Sequence, residues 1–424
     1  LELGAKAFGT SSIMIGDTAT GTIDAANYNT GVGVDIFTSL TTGDNNVAIG
    51  FQALKLNTTG SHNTALGYSS AEANTTGSTN VAVGYNSLEA NTTGSSNVAV
   101  GKDALATNTS ASNNVAVGKG ALLINTTGSE NVAIGYEAGY HNTTGDENTA
   151  LGYRAYSRGS ATGAATGDNN TAIGTYTLYS NQTGASNVAV GHAAMQENTT
   201  GSSNTAVGSS ALFANTTGVR NTAVGQASGI SLTTGNDNTL IGQDAGDSIT
   251  TGLSNTAVGS ETLQATTTGS YNTAVGQRSM ETNTTASDNV AVGWGSMVLN
   301  TTGTQNTAIG RSALAANTTA NLNTAFGYLT LQANTTGTEN TALGATTASD
   351  LTTGNYNTFL GFGAQPSANN AEYQIVLGRA THGHGDSKLT FGTGSGNNRV
   401  YNSFTVNASW TRVSDERYKE NITP

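Results

Sequence analysis

The chain has 424 residues, with 10% charged and 6% aromatic side chains, 55 glycines, two prolines, no cysteine and a formal net charge of −12. Its acidic residues are scattered and its lysines and arginines never cluster, which excludes the basic stripe a nucleic-acid partner requires. No apolar run approaches the roughly 18 residues of a membrane-spanning helix. The lack of cysteine leaves the redox compartment open.

Recurring aliphatic residues argue for order rather than disorder. With no signal-like segment at Leu1, a soluble fragment or processed product is the expectation.

Residues 1–11 read as a connector. Self-similarity begins at Ser12 (SIMIG) and Asn29 (NTGVG) and becomes strict at Asn46, where Asn-(Thr/Val)-Ala-(Val/Ile/Leu)-Gly starts. It recurs every seventeen residues to Asn148, resumes at Asn170 after a five-residue slip, and continues to Asn357, nineteen copies in all. A weaker copy at Gln374 (QIVLG) extends the series, so about twenty-two coils occupy residues 12–390.

The consensus is N-T/V-A-V/I-G-x-x-A-L-x-x-N-T-T-G-x-x. Seventeen residues are too few for a helical hairpin and suit one coil of a parallel β-solenoid. The expected fold class is therefore all-β, a parallel β-solenoid (β-roll) of 17-residue coils.

Numbering each coil from its first Asn, alternation along the strand puts positions two and four on one face and positions one and three on the other. The aliphatic at position four and the Leu at position nine (Leu54, Leu88, Leu105, Leu122, Leu212, Leu314) are the expected core. The Ala at position three and Gly at position five are expected to form a bare face that invites another chain. The thin core favours several chains over a lone solenoid.

The first Asn is expected to form an amide ladder. The N-T-T-G stretch at positions twelve to fifteen spells N-x-T sequons, weighed against a plain turn. Its Thr pairs also suggest an ice-binding row.

The slip, NTALGYRAYSRGSATGAATGDN from Asn148 to Asn169, reads as an outward loop. Tyr153, Arg154, Tyr156 and Arg158 concentrate aromatic and basic groups there, and are the candidate receptor or glycan contacts, weighed against a merely tolerated loop.

Past the last coil, His382 and His384 form a His-x-His motif that could offer an axial metal six nitrogens from three chains, weighed against a Gly-rich loop. No other cofactor is expected. His62, His141 and His192 fall on different repeat positions and form no constellation. No paired carboxylates, P-loop, zinc motif or calcium nonapeptide appears, which disfavours an enzyme. Residues 391–413 read as a neck.

Two resemblances follow from these residues. The N-T/V-A-V-G units resemble the NSVAIG-type repeats in the heads of trimeric bacterial adhesins, which implies three β-rolls about one axis. No membrane-anchor barrel or coiled-coil stalk accompanies them in this sequence.

Residues 414–424 open with Ser414-Asp415-Glu416-Arg417-Tyr418-Lys419-Glu420-Asn421-Ile422. This resembles the start of the peptidase S74 family, the intramolecular chaperones at the ends of phage tail fibres and tailspikes. The resemblance implies a domain that trimerises the fibre and cuts itself off, with Ser414 as nucleophile and Lys419 as its base. A lysine serves so only when desolvation lowers its pKa. As plain structure, Ser414 would cap a helix whose first turn holds the acids.

The expected function is the structural shaft and adhesin of a phage tail fibre or similar extracellular appendage. It would be non-enzymatic apart from autoproteolysis, and located on a virion or cell surface. Its expected partners are itself as a homotrimer and a host-surface glycan or protein, with no nucleic acid and no membrane insertion. The alternatives are an extracellular or ice-binding filament and a glycan-degrading tailspike.

Overall fold

The computed structural model describes residues 5–8, 11–16, 25–157, 164–394, 396, 398–405 and 411–412. Among them every regular element is a β-strand. The chain forms two compact units, Leu1–Arg220 and Asn221–Pro424.

In the first unit, Ala5–Phe8 pairs antiparallel with Ser12–Gly16, which opens a parallel ladder. The ladder runs through Thr30–Gly33, Val47–Ile49 and each later strand to Thr205–Val207. Most of these strands are three residues long, and each residue pairs with its equivalent seventeen later, as Val47 does with Thr64. Across the insertion Thr149 pairs with Thr171, so the extra residues leave the register intact.

The second unit repeats the pattern from Thr222–Val224 to Ile375–Leu377. It then pairs Ile375 with Leu389 of Lys388–Gly392 and turns antiparallel through Arg399–Ser403 to Thr411–Arg412. The parallel β-solenoid of 17-residue coils is thus borne out in both units.

Hydrogen bonding between coils is not confined to the strands. Val47, Leu54, Leu56 and Thr58 donate their N–H groups to Asn63, Ser70, Glu72 and Thr75 of the next coil, at 2.8 to 3.1 Å. The perimeter is therefore a stack of paired peptide groups, which meets the demand of buried backbone for partners.

The path needs unusual torsions. Position five is glycine because its φ lies near +134° at Gly50, and a Cβ there would fall 2.2 Å from the carbonyl oxygen of Gly67. Positions seven, nine and seventeen are left-handed in ordinary residues, as at Gln52, Leu54 and His62, with φ of 59°, 49° and 61°. Left-handed backbone disfavours such side chains by about 1–2 kcal/mol each. The inter-coil hydrogen bonds must offset that cost.

The core differs from the expectation. Positions one, three, eight, nine and twelve point inward: Asn46, Ala48, Ala53, Leu54 and Asn57 are all fully buried. The aliphatics at position four point outward, with Leu66 45% and Leu360 46% exposed.

The reversal has a polar cause. Position one must enter the coil for its amide to be satisfied, and alternation then carries position three inward with it. Asn46 Nδ2 donates to the Gly60 carbonyl at 3.0 Å and to Asn29 Oδ1 at 3.0 Å. The next coil's Asn63 N–H donates to Asn46 Oδ1 at 2.9 Å.

A second ladder was not anticipated. The position-twelve asparagines run Asn57, Asn74, Asn91, Asn108, Asn125 and Asn142, each amide donating to the oxygen before it at 2.7 to 3.2 Å. The sequon asparagines are therefore buried and committed, and the folded coil offers no side chain there for a glycan.

The remaining interior volume is shared within a coil. In the coil from Asn238, position three is Leu240, position nine shrinks to Gly246, and position twelve becomes Ile249. A Cβ on Gly246 would meet Ile249 Cδ1 at 2.8 Å and Leu240 Cδ2 at 2.9 Å, so these two side chains fill the space a Leu holds elsewhere.

Candidate receptor-binding surface

Position six follows the glycine corner, and its side chains lie outside the coil, where the repeat stacks like on like. Tyr136 and Tyr153 occupy it in successive coils and stack with ring centres 5.2 Å apart and planes 10° from parallel. Tyr153 meets Tyr176 edge-on at 5.6 Å, and Tyr176 meets Tyr179 likewise at 5.4 Å. Such offset and edge contacts suit ring quadrupoles.

Arg154, at position seven, lies 5.6 Å from the Tyr153 ring centre and 5.9 Å from that of Tyr136. Lys119 lies 5.4 Å from the Tyr136 ring. Arg154 Nε donates to Glu137 Oε2 at 2.7 Å. Partial burial pulls the Arg154 pKa down, but the bond and charge of Glu137 outweigh it and the net shift is upward. Desolvation raises the Tyr153 phenol, which therefore stays neutral and able to donate.

The structure brings Tyr153 and Arg154 together on this surface and corrects the reading of Tyr156. Tyr156 stands at position nine and replaces the core Leu, with 2% of its surface exposed. Its hydroxyl donates to the Gly167 carbonyl at 2.8 Å, with Asn181 Nδ2 at 3.5 Å. Elsewhere the position-twelve Asn donates to that same position-fifteen carbonyl, as Asn142 does to Gly145 at 2.8 Å. The inserted coil has no such Asn, and the phenol takes over its bond. Burial pushes the Tyr156 pKa up to about 12. Arg158, Ser414 and Lys419 lie outside the described residues.

Within one chain His382 and His384 have different neighbours. The His384 ring stacks on Tyr401 at 3.8 Å. Lys388 Nζ donates to the His384 carbonyl at 3.1 Å, and Arg399 Nη1 to the His382 carbonyl at 2.6 Å. Burial lowers the His384 pKa, and the charges of Lys388 and Arg399 add to the effect. Two cations so close disfavour a third. Among the described residues no three His, Asp or Glu side chains converge as a metal would need.

The position-six row holds more than the insertion suggested. Phe51, Tyr68 and Tyr85 stack in succession, each pair 5.1 Å apart. Aligning the coils and reading down that one position would have found them. Reading down position four instead gives the outward aliphatic stripe: Ile49, Leu66, Leu151 and Val207 in the first unit, and Val224, Ile241, Phe326, Leu343 and Leu360 in the second, all exposed.

No protein family, curated protein or solved structure matches this chain.

Proposed function

We propose that the chain is the shaft and adhesin of a homotrimeric fibre, a phage tail fibre or similar extracellular appendage. The observation that carries the reading is the outward aliphatic stripe at position four, flanked by Val and Thr at position two. Monomeric soluble proteins rarely leave contiguous apolar strips open, and one repeated coil after coil suits a partner with the same repeat. A second copy has that periodicity by construction. The sequence expectation placed the chain-to-chain face on Ala and Gly; because that Ala is buried, the proposed face is the aliphatic side.

Attachment to a host-surface glycan or protein is proposed at the Tyr153 and Arg154 surface. Trimerisation by a peptidase S74-type chaperone with Ser414 and Lys419, and an otherwise non-enzymatic role, rest on the sequence resemblance. The ice-binding alternative draws on exposed Thr59, Thr76 and Thr93 at position fourteen. It is weakened because the neighbouring Thr58 and Thr75 hydroxyls donate to the next coil's carbonyls at 2.9 Å, which leaves a single free row.

The test is light scattering of the chain and of Leu66→Glu and Leu343→Glu. The wild type is expected at three times the 42.6 kDa of one chain. Both side chains are exposed in the isolated coil, so each substitution should leave its stability within about 0.5 kcal/mol. It should nonetheless dissociate the assembly. A wild-type monomer overturns the reading, and so do variants that remain trimeric.

A further inference from the structure

We propose that a cleft in the second unit, walled by Trp294 and Leu299, binds one neutral pyranose ring of a surface glycan. This rests on the attachment role above and names its ligand class.

The cleft arises from one missing side chain. Position seven of three successive coils holds Arg278, Gly295 and Ser312. The nearest atom a Cβ on Gly295 would meet is Ser312 Oγ, at 3.9 Å. The gap measures about 230 Å³ and is lined by Arg278, Trp294, Gly295, Val298, Leu299 and Ser312. That is below the roughly 300–1,000 Å³ of drug-sized ligand sites, so it admits a single ring.

The wall is apolar, open and held in place. Trp294 is 45% and Leu299 49% exposed. The Arg311 guanidinium lies 5.1 Å from the indole centre and 5.9 Å from the Tyr328 ring, gripped between them. An aromatic fixed this way loses little freedom when a ligand packs against it.

The rim is polar without net charge. Arg278 donates to Glu281 from Nε at 2.7 Å and from Nη2 at 3.2 Å, and its Nε lies 3.6 Å from Glu261. Compensated charges set donors beside acceptors, which suits hydroxyl groups better than an anion or a cation. The Ser312 hydroxyl makes no hydrogen bond among the described residues and is free for a ligand. An apolar ring face with a hydroxyl edge is the chemistry of a pyranose.

The experiment is saturation-transfer NMR of methyl glucoside, methyl galactoside and N-acetylglucosamine with the whole chain, Trp294→Ala and Gly295→Leu. The Leu is tolerable, since Leu329 occupies the same position two coils on with φ 54°. Transfer to the ring protons of at least one sugar is expected with the wild type, falling about tenfold in both variants while circular dichroism is unchanged. No transfer from any of the three sugars overturns the proposal, and so does transfer that survives Gly295→Leu.

Adhesion to a panel of bacterial cells, measured in parallel, separates the two readings. Adhesion equal in wild type and Gly295→Leu, without sugar transfer, removes the cleft and keeps the adhesin. Sugar transfer lost in Gly295→Leu, without adhesion, keeps the cleft and removes the adhesin.

Discussion

Replacing Tyr156 by Phe removes one oxygen from the interior of the inserted coil. The Gly167 carbonyl loses the donor that now sits 2.8 Å away and keeps only the position-one amide, Asn148 Nδ2 at 2.9 Å. Losing one of its two hydrogen bonds costs about 0.5–1.5 kcal/mol, which is the expected loss at neutral pH.

The alkaline behaviour is sharper. The neutral phenol is favoured inside the fold, where its pKa rises from 10.0 to about 12. Tyr156 therefore contributes its full stabilisation below pH 10 and loses it as pH rises through about 12. Two pKa units correspond to about 3 kcal/mol. The stability difference between wild type and Tyr156→Phe should thus shift by that amount in favour of the variant across this window, while the other ionisations cancel in the difference.

Guanidinium unfolding by circular dichroism reads the gap, and phenolate absorbance reads its cause. Among its 15 tyrosines the wild type should show one more late-titrating phenol than the variant. A gap that stays constant with pH, or an equal number of late phenolates in both chains, refutes the reasoning.

Two further outcomes follow from the buried side of the coil. Expressed through a glycosylating secretory route, the protease-resistant fraction should carry no N-glycan on Asn57, Asn74 or Asn91; glycan mass on resistant, folded chain would contradict their burial. Gly246→Leu alone should destabilise by about 1–3 kcal/mol through overpacking, whereas the same change with Leu240→Ala and Ile249→Asn restores the consensus coil. Purely additive denaturation midpoints would show that the three positions do not share space.

The period, the strands and the corner glycines were legible in the sequence because a stacked coil must place equivalent residues in equivalent surroundings. The inside and outside of the strand were not. A hydrophobicity argument ranks Ile49 and Leu66 above Ala48 and Ala65 as core residues, and it fails because so narrow an interior is filled by Asn, Ala and one Leu.

The same blindness hid Tyr156. In the sequence it belongs to an aromatic and basic cluster, and only its place at position nine reveals it as a substitute for both Leu and Asn. Tyr153 and Arg154 were legible because positions six and seven face solvent. The Trp294 cleft was not, since it depends on what Gly295 lacks.

The two buried ladders share a direction. Asn46 and Asn63 each donate to the oxygen of the coil before, and so do Asn74 and Asn91. Where the position-twelve ladder stops, an amide oxygen is left without a donor, as at Asn142 and Asn334. Every finished coil therefore presents acceptors to the segment that follows it in the chain. A ribosome delivers that segment next, so the molecule can be assembled in the order it is synthesised, each newly emerged turn docking on a surface already shaped to receive it.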